Sequence, residues 1–200
     1  MYGVLSLRSH RVPRVGAFYR LLPAWLRRTA AAVLTLGTIG ALGAVLTVMA
    51  EDPGVRVPVI MYHAVIDDAS RLGKYVISPK ELESDFKWLS ENGYTAVLSE
   101  DLINYTENGA ALPEKPILLT FDDGYYNNYL YAYPAAKRYG MKFVLSPIGK
   151  YADLYTETPD KSPYYAHCTW DMLREMQSSG VVEIANHTYD LHSSDGARLG

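Results

Sequence analysis

An apolar run, Ile117 to Phe121, ends on two adjacent carboxylates, Asp122 and Asp123, and then a glycine, Gly124. The run reads as a buried strand. Charge at the end of a buried strand needs a cation, a hydrogen-bond donor or water. Two acids side by side do not both stay ionised cheaply unless a cation neutralises one of them. The pair therefore suggests one acid as a metal ligand and the other as a general base. The competing reading is a strand followed by an Asp-Gly turn with solvated acids.

Around this run the chain alternates. Val57–Tyr62, Tyr94–Leu98, Lys142–Ser146 and Val181–Ala185 read as further strands. Ser78, Pro79 and Glu81 form a capping-box signature that starts a helix. Leu82, Phe86 and Leu89 then share one helical face, and Gly93 marks its end. Ser99 to Asn108 reads as a second helix with acids in its first turn. Tyr125 to Tyr139 reads as a third, kinked or divided by Pro134. Thr169 caps a fourth that ends near Gly180. Pro147 to His167 shows no clear periodicity and reads as a functional loop or insertion. The alternation predicts an α/β fold with about five parallel strands and crossover helices. Five strands are too few for a closed barrel of this kind, which needs about eight.

The chain's charge is divided. Residues 1–50 hold six arginines and no acid, so residues 51–200 hold 13 basic residues against all 22 acids. A body of that sign has no electrostatic reason to bind nucleic acid. The single cysteine, Cys168, excludes an intrachain disulfide and reads as a buried apolar residue.

Residues 1–29 carry the six arginines, and Ala30–Ala50 runs 21 residues without a charge. That length suffices to cross a bilayer as one helix. Arginines before the run and Glu51 and Asp52 after it predict a cytoplasmic N-terminus, a single-pass anchor and a body outside the cell. The alternative is a secreted body, with Val48-Met49-Ala50 as a signal cleavage site. Residues 51–56 read as a linker, and 57–200 as the body.

A second constellation lies at His187-Thr-Tyr-Asp-Leu-His192. Two histidines this close can share a metal. Five residues along an ideal helix rotate by about 140°, and an odd offset along a strand faces opposite sides. A shared metal therefore requires irregular backbone between them, such as a turn leaving the Val181–Ala185 strand. In parallel α/β folds, sites lie at the carboxyl ends of strands. Asp122, Asp123, His187 and His63 all follow strands there. For His63, a site at the strand's mouth competes with a packed or surface histidine.

These residues carry a family resemblance. Thr120-Phe-Asp-Asp-Gly124 resembles the first signature of the polysaccharide deacetylases, the NodB homology domain of carbohydrate esterase family 4. His187 to His192 resembles the second, with one extra residue between the histidines. That spacing is similar to the branch acting on poly-β-1,6-N-acetylglucosamine. Pro58 to Val65 also resembles the start of such domains. The resemblance covers about residues 55–200 and implies the N-terminal portion of a (β/α) barrel-like fold. It implies that Asp123, His187 and His192 bind a divalent metal, zinc in kind, with Asp122 as general base. The implied reaction removes N-acetyl groups from a cell-surface or extracellular polysaccharide.

The family's later motifs, including the one bearing the general acid, do not occur before Gly200. The expectation is the N-terminal part of a deacetylase domain, weak in catalysis by itself. The alternative is a weakly active or inactive glycan-binding protein at the cell surface. Ten tyrosines lie between Tyr125 and Tyr165. Most suit packing, but aromatic faces also stack on sugar rings. Tyr125, Tyr151 and Tyr155, with His63, are the candidate substrate contacts, and Tyr164 and Tyr165 share the long loop.

Overall fold

The computed structural model describes residues 2–7 and 54–191. The strands are β1 (Tyr2–Leu7), β2 (Val55–Tyr62), β3 (Ala64–Val65), β4 (Val76–Ile77), β5 (Thr95–Val97), β6 (Pro116–Asp123), β7 (Phe143–Pro147) and β8 (Val182–Ile184). The helices are α1 (Pro79–Glu91), α2 (Ser99–Asn108), α3 (Tyr133–Tyr139), α4 (Gly149–Glu157) and α5 (Trp170–Ser178).

The main sheet runs in the order β1-β2-β6-β7-β8, with β5 paired to the start of β6. The pairs β2·β6, β5·β6, β6·β7 and β7·β8 are all parallel. The five strands expected from sequence are thus present, joined by helices as the alternation required. β6 is central because nearly all of it is buried, as a parallel strand covered on both faces must be. Phe121 stacks on Tyr62 from β2 at 5.0 Å between ring centroids and meets Phe143 from β7 at 4.7 Å.

Local signals behave as their chemistry dictates. The Ser78 hydroxyl accepts from the Glu81 backbone N–H at 3.1 Å, and Glu81 accepts from the Ser78 N–H at 2.8 Å. This capping box holds α1 so that Leu82, Phe86 and Leu89 face the core. α2 has no side-chain cap of its own at Leu98. The Glu183 carboxylate of β8 reaches across and accepts from the Ser99 N–H at 2.8 Å. An acid there also complements the helix dipole.

Two expectations need correction, and a third is met. The segment Pro147–His167 is not an irregular loop, because Gly149–Glu157 is the helix α4. Its N-terminus lacks a side-chain cap. Instead the Gly149 and Lys150 N–H groups donate to the Thr188 and Tyr189 carbonyls at 2.9 and 3.0 Å. The helix predicted over Tyr125–Tyr139 is divided near Pro134 as expected, with a π turn over Asn128–Ala132 and then α3, where Pro134 sits in the first turn. Finally, β6 does not stop before the acids but runs through Asp122 and Asp123.

β1 is an addition that the sequence did not announce, lying beside β2 within the arginine-bearing segment. The run Ala30–Ala50 lies outside the described residues. Among the described residues no helix is long and apolar enough to cross a membrane.

Candidate active site

Parallel registration brings the carboxyl ends of β2, β6, β7 and β8 to one edge. Tyr62 lies opposite Phe121, and Asp123 opposite Pro147. The His187 N–H donates to the Pro147 carbonyl at 3.2 Å, carrying the β7·β8 pairing past the end of β8. His63, Asp122, Asp123 and His187 therefore meet at one rim. The distances are 3.7 Å from His63 Nε2 to Asp122 Oδ2 and 3.6 Å from His187 Nε2 to Asp123 Oδ1. Each acid has a different imidazole beside it.

The backbone beneath the acids is unusual. Asp123 is the one non-glycine among the described residues with a left-handed conformation, φ 69°. Aspartate tolerates that region better than most residues. Gly124 follows at φ 74°, and a Cβ there would stand 2.6 Å from Pro147 Cβ. The strand end thus turns sharply against β7, and only glycine fits. The Ile148 N–H donates back to the Asp123 carbonyl at 3.2 Å.

After His187 the chain leaves β8 in a turn, as a shared metal site would require. Thr188 Oγ1 accepts from the Leu191 N–H at 3.0 Å. Lys150 Nζ donates to Asp190 at 2.9 Å, and that contact raises the lysine's pKa. Gly149 packs so closely that a Cβ would stand 2.8 Å from the Tyr189 ring. His192 lies outside the described residues. Among the described residues no three His, Cys, Asp or Glu side chains form a group that could hold a metal ion. The donors in place, one carboxylate and one imidazole side by side, are the chemistry that a borderline divalent cation such as zinc takes.

A cavity of about 420 Å³ opens beside Asp123. Its walls include Tyr125, Tyr151, Tyr155 and Tyr165. Tyr151 and Tyr155 come from α4 rather than from a loop. Burial raises the pKa of Tyr125, and the charge of Asp123 adds to it. His63 lines one recess with Tyr62, Lys74, Tyr75 and Asp85, and another that it shares with Asp123 and Tyr125.

One further residue in the cavity wall escaped the sequence reading. His167 is only 7% exposed, and neither of its ring nitrogens makes a well-formed hydrogen bond, a loose contact with the Tyr165 backbone aside. Its ring lies 4.6 Å from Tyr125, 4.5 Å from Tyr151 and 5.6 Å from Tyr155 between centroids. Burial pushes its pKa down to about 4; the Asp123 charge and the Tyr165 backbone oppose that shift without cancelling it. Two backbone bonds fix it there: the Tyr126 N–H donates to the Ala166 carbonyl and the Cys168 N–H to the Gly124 carbonyl, both at 2.8 Å. The available signal was a histidine just before the Thr169 cap, within a tyrosine-rich stretch. Cys168 beside it is buried as expected, its thiol pushed up to about 12.

Residues 109–197 match the family model for polysaccharide deacetylase. Over 140 residues the chain is 33% identical to a poly-beta-1,6-N-acetyl-D-glucosamine N-deacetylase of Escherichia coli K12, which covers 66% of this chain and 20% of that protein. Its fold is similar to that of a de-N-acetylase from Aggregatibacter actinomycetemcomitans, with TM-score 0.58 and 38% identity over 70% of this chain and 60% of that one. IcaB from Ammonifex degensii is similar at TM-score 0.56 and 30% identity, over 69% and 55% of the two chains. The chain thus spans a fifth of the curated relative and little more than half of each solved one. The match falls on the strands and turns that bear Asp122, Asp123 and His187, and over these residues the chain is similar to the polysaccharide deacetylases.

Proposed function

We propose that this chain removes N-acetyl groups from a polysaccharide, most readily a polymer of N-acetylglucosamine. The observation that carries the reading is the pairing of two adjacent acids with two separate histidines at one sheet edge. Asp123, His187 and His192 would hold a divalent metal, zinc by the donor set. Such a cation supplies Lewis acidity and offsets the charge that develops on the amide oxygen. Asp122 takes the proton of the attacking water, whose oxygen bonds to the acetyl carbon. The C–N bond then breaks, the amine leaves with the proton that Asp122 took from the water, and the products are acetate and a glucosamine unit. His63, beside Asp122, orients that carboxylate. The tyrosine-walled cavity next to Asp123 receives a sugar unit, with Tyr125, Tyr151 and Tyr155 as its contacts. The larger architecture of the proposal is a (β/α) barrel-like domain, of which the described sheet is one part.

The uncharged run Ala30–Ala50 is long enough to enter a bilayer and supports a chain held at a membrane. The place of β1 beside β2 argues against a single crossing, because it sets both ends of the intervening segment on one side.

The test is acetate release from β-1,6-linked N-acetylglucosamine oligomers by the zinc-loaded full chain. Slow release that falls by about 10²–10⁴ in Asp122→Asn, at unchanged metal content, is the expected result. A second reading, glycan binding without turnover, draws on the tyrosine-walled cavity. Absence of acetate with retained oligomer binding would establish it instead.

A further inference from the structure

His167 is poorly explained as a packing residue. It is enclosed by three tyrosine rings at centroid distances of 4.5 to 5.6 Å. An apolar aromatic would make the same ring contacts and would leave no polar atom unsatisfied. The imidazole instead buries two nitrogens with no well-formed hydrogen bond, only a loose contact with the Tyr165 backbone, a state that costs stability. It lines the same cavity as Asp123, and its backbone is held against Gly124–Tyr126. At neutral pH the ring is uncharged, so one nitrogen donates and the other accepts. A sugar hydroxyl, which also does both, is its natural complement.

We propose that His167 is a specificity-determining residue: the polar anchor of a sugar subsite in which a pyranose ring enters the cavity beside Asp123, packs on Tyr151 and Tyr155, and hydrogen-bonds the His167 imidazole through a hydroxyl. The cavity, at about 420 Å³, lies in the size range of small-ligand sites. Aromatic walls hold the apolar face of the ring, and one or two placed polar groups fix its orientation. The inference rests on the proposed action on a polysaccharide, and names the residue that would read the unit next to the reacting one.

The test uses the full chain and an N-acetylglucosamine pentamer, with affinity measured by calorimetry in zinc-free buffer. His167→Phe should bind the pentamer about tenfold or more weakly while its melting temperature holds or rises. A second variant, His167→Leu, should show the same loss of affinity if phenylalanine proves too large to fold. In the wild type, the ¹⁵N resonances of the His167 ring should move when the pentamer is added. Equal affinity in a folded His167 variant, or unmoved ring resonances at saturating pentamer, overturns the proposal. So does a wild type that fails to bind the pentamer. Acetate release is scored separately with zinc added. Release without any His167 effect on binding sinks the subsite alone, and His167-dependent binding without release sinks the deacetylase reading alone.

Discussion

His187 Nε2 stands 3.6 Å from Asp123 Oδ1, although Asp123 ends β6 and His187 follows β8, strands separated in the sheet by β7. Parallel pairing through β7 is what closes that gap. The Asp123 backbone meets Pro147, and His187 hydrogen-bonds the same proline's carbonyl.

Replacing Asp123, His187 or His192 with alanine should weaken zinc binding by at least the 10–100-fold that an outer-shell change costs. Asp122→Asn should keep its zinc, because the base is not a ligand. Elemental analysis of the purified variants reads this directly. Normal zinc in His187→Ala would remove that residue from the site.

Gly124 and Gly93 have nearly the same backbone, φ 74° and 75°, but different surroundings. A Cβ at Gly93 meets nothing within 4 Å, whereas at Gly124 it stands 2.6 Å from Pro147 Cβ. Gly93→Ala should cost about 1 kcal/mol for the left-handed backbone alone. Gly124→Ala adds overpacking and should cost about 2–4 kcal/mol. Urea denaturation of both variants tests the contrast, and equal losses would mean that the β7 contact does not constrain the turn.

Asn127 ties two segments around the site together. Its Oδ1 accepts from the Val65 N–H at 3.0 Å, and its Nδ2 donates to the Pro163 carbonyl at 2.9 Å. Asn127→Ala strands both groups and should destabilise the fold by about 2–4 kcal/mol. Asn127→Asp keeps the acceptor and loses the donor, so its hydrogen-exchange protection should hold at Val65. Protection lost equally at Val65 in both variants would contradict the pairing.

The buried His167 makes stability depend on pH. Its ring is neutral in the folded state down to about pH 4, whereas an unfolded chain takes up the proton near 6.5. Above 6.5 neither state is charged and the residue has no effect. Between 6.5 and 4 the unfolded state binds the proton that the fold refuses, so stability falls as pH falls, by roughly 3 kcal/mol in total. Below 4 both states are protonated and its effect levels off. Denaturation midpoints across this window should fall less steeply in His167→Phe. Identical slopes in the two proteins would show that the ring is not held neutral.

β1 beside β2 predicts sidedness. A cysteine placed at Gly3, which is exposed, should react with an impermeant thiol reagent on the same side of the membrane as one placed at exposed Lys150. Labelling on opposite sides would restore the single-crossing arrangement read from residues 30–50.

How much of this was legible in the residues follows from the range of each interaction. The capping box of Ser78 and Glu81, the apolar face of α1 and the Thr169 cap of α5 are built within a few positions of sequence, so their chemistry can be read directly. The acid pair after a buried run and the histidine after β8 were legible for the same reason, as was the alternation that demands a parallel sheet. α4 was not, because its first N–H groups are satisfied by the Thr188 and Tyr189 carbonyls from a distant turn, and no local cap announces it. Nor was β1, whose place beside β2 is a long-range pairing. The environment of His167 also lay beyond local reading. Its ring is buried among Tyr125, Tyr151 and Tyr155, brought from β6's turn and from α4, and burial is a property of the packed fold. Sequence by itself determined which residues could do the chemistry; the register of β6, β7 and β8 decided which imidazole meets which acid, because only backbone pairing sets distances between strand ends.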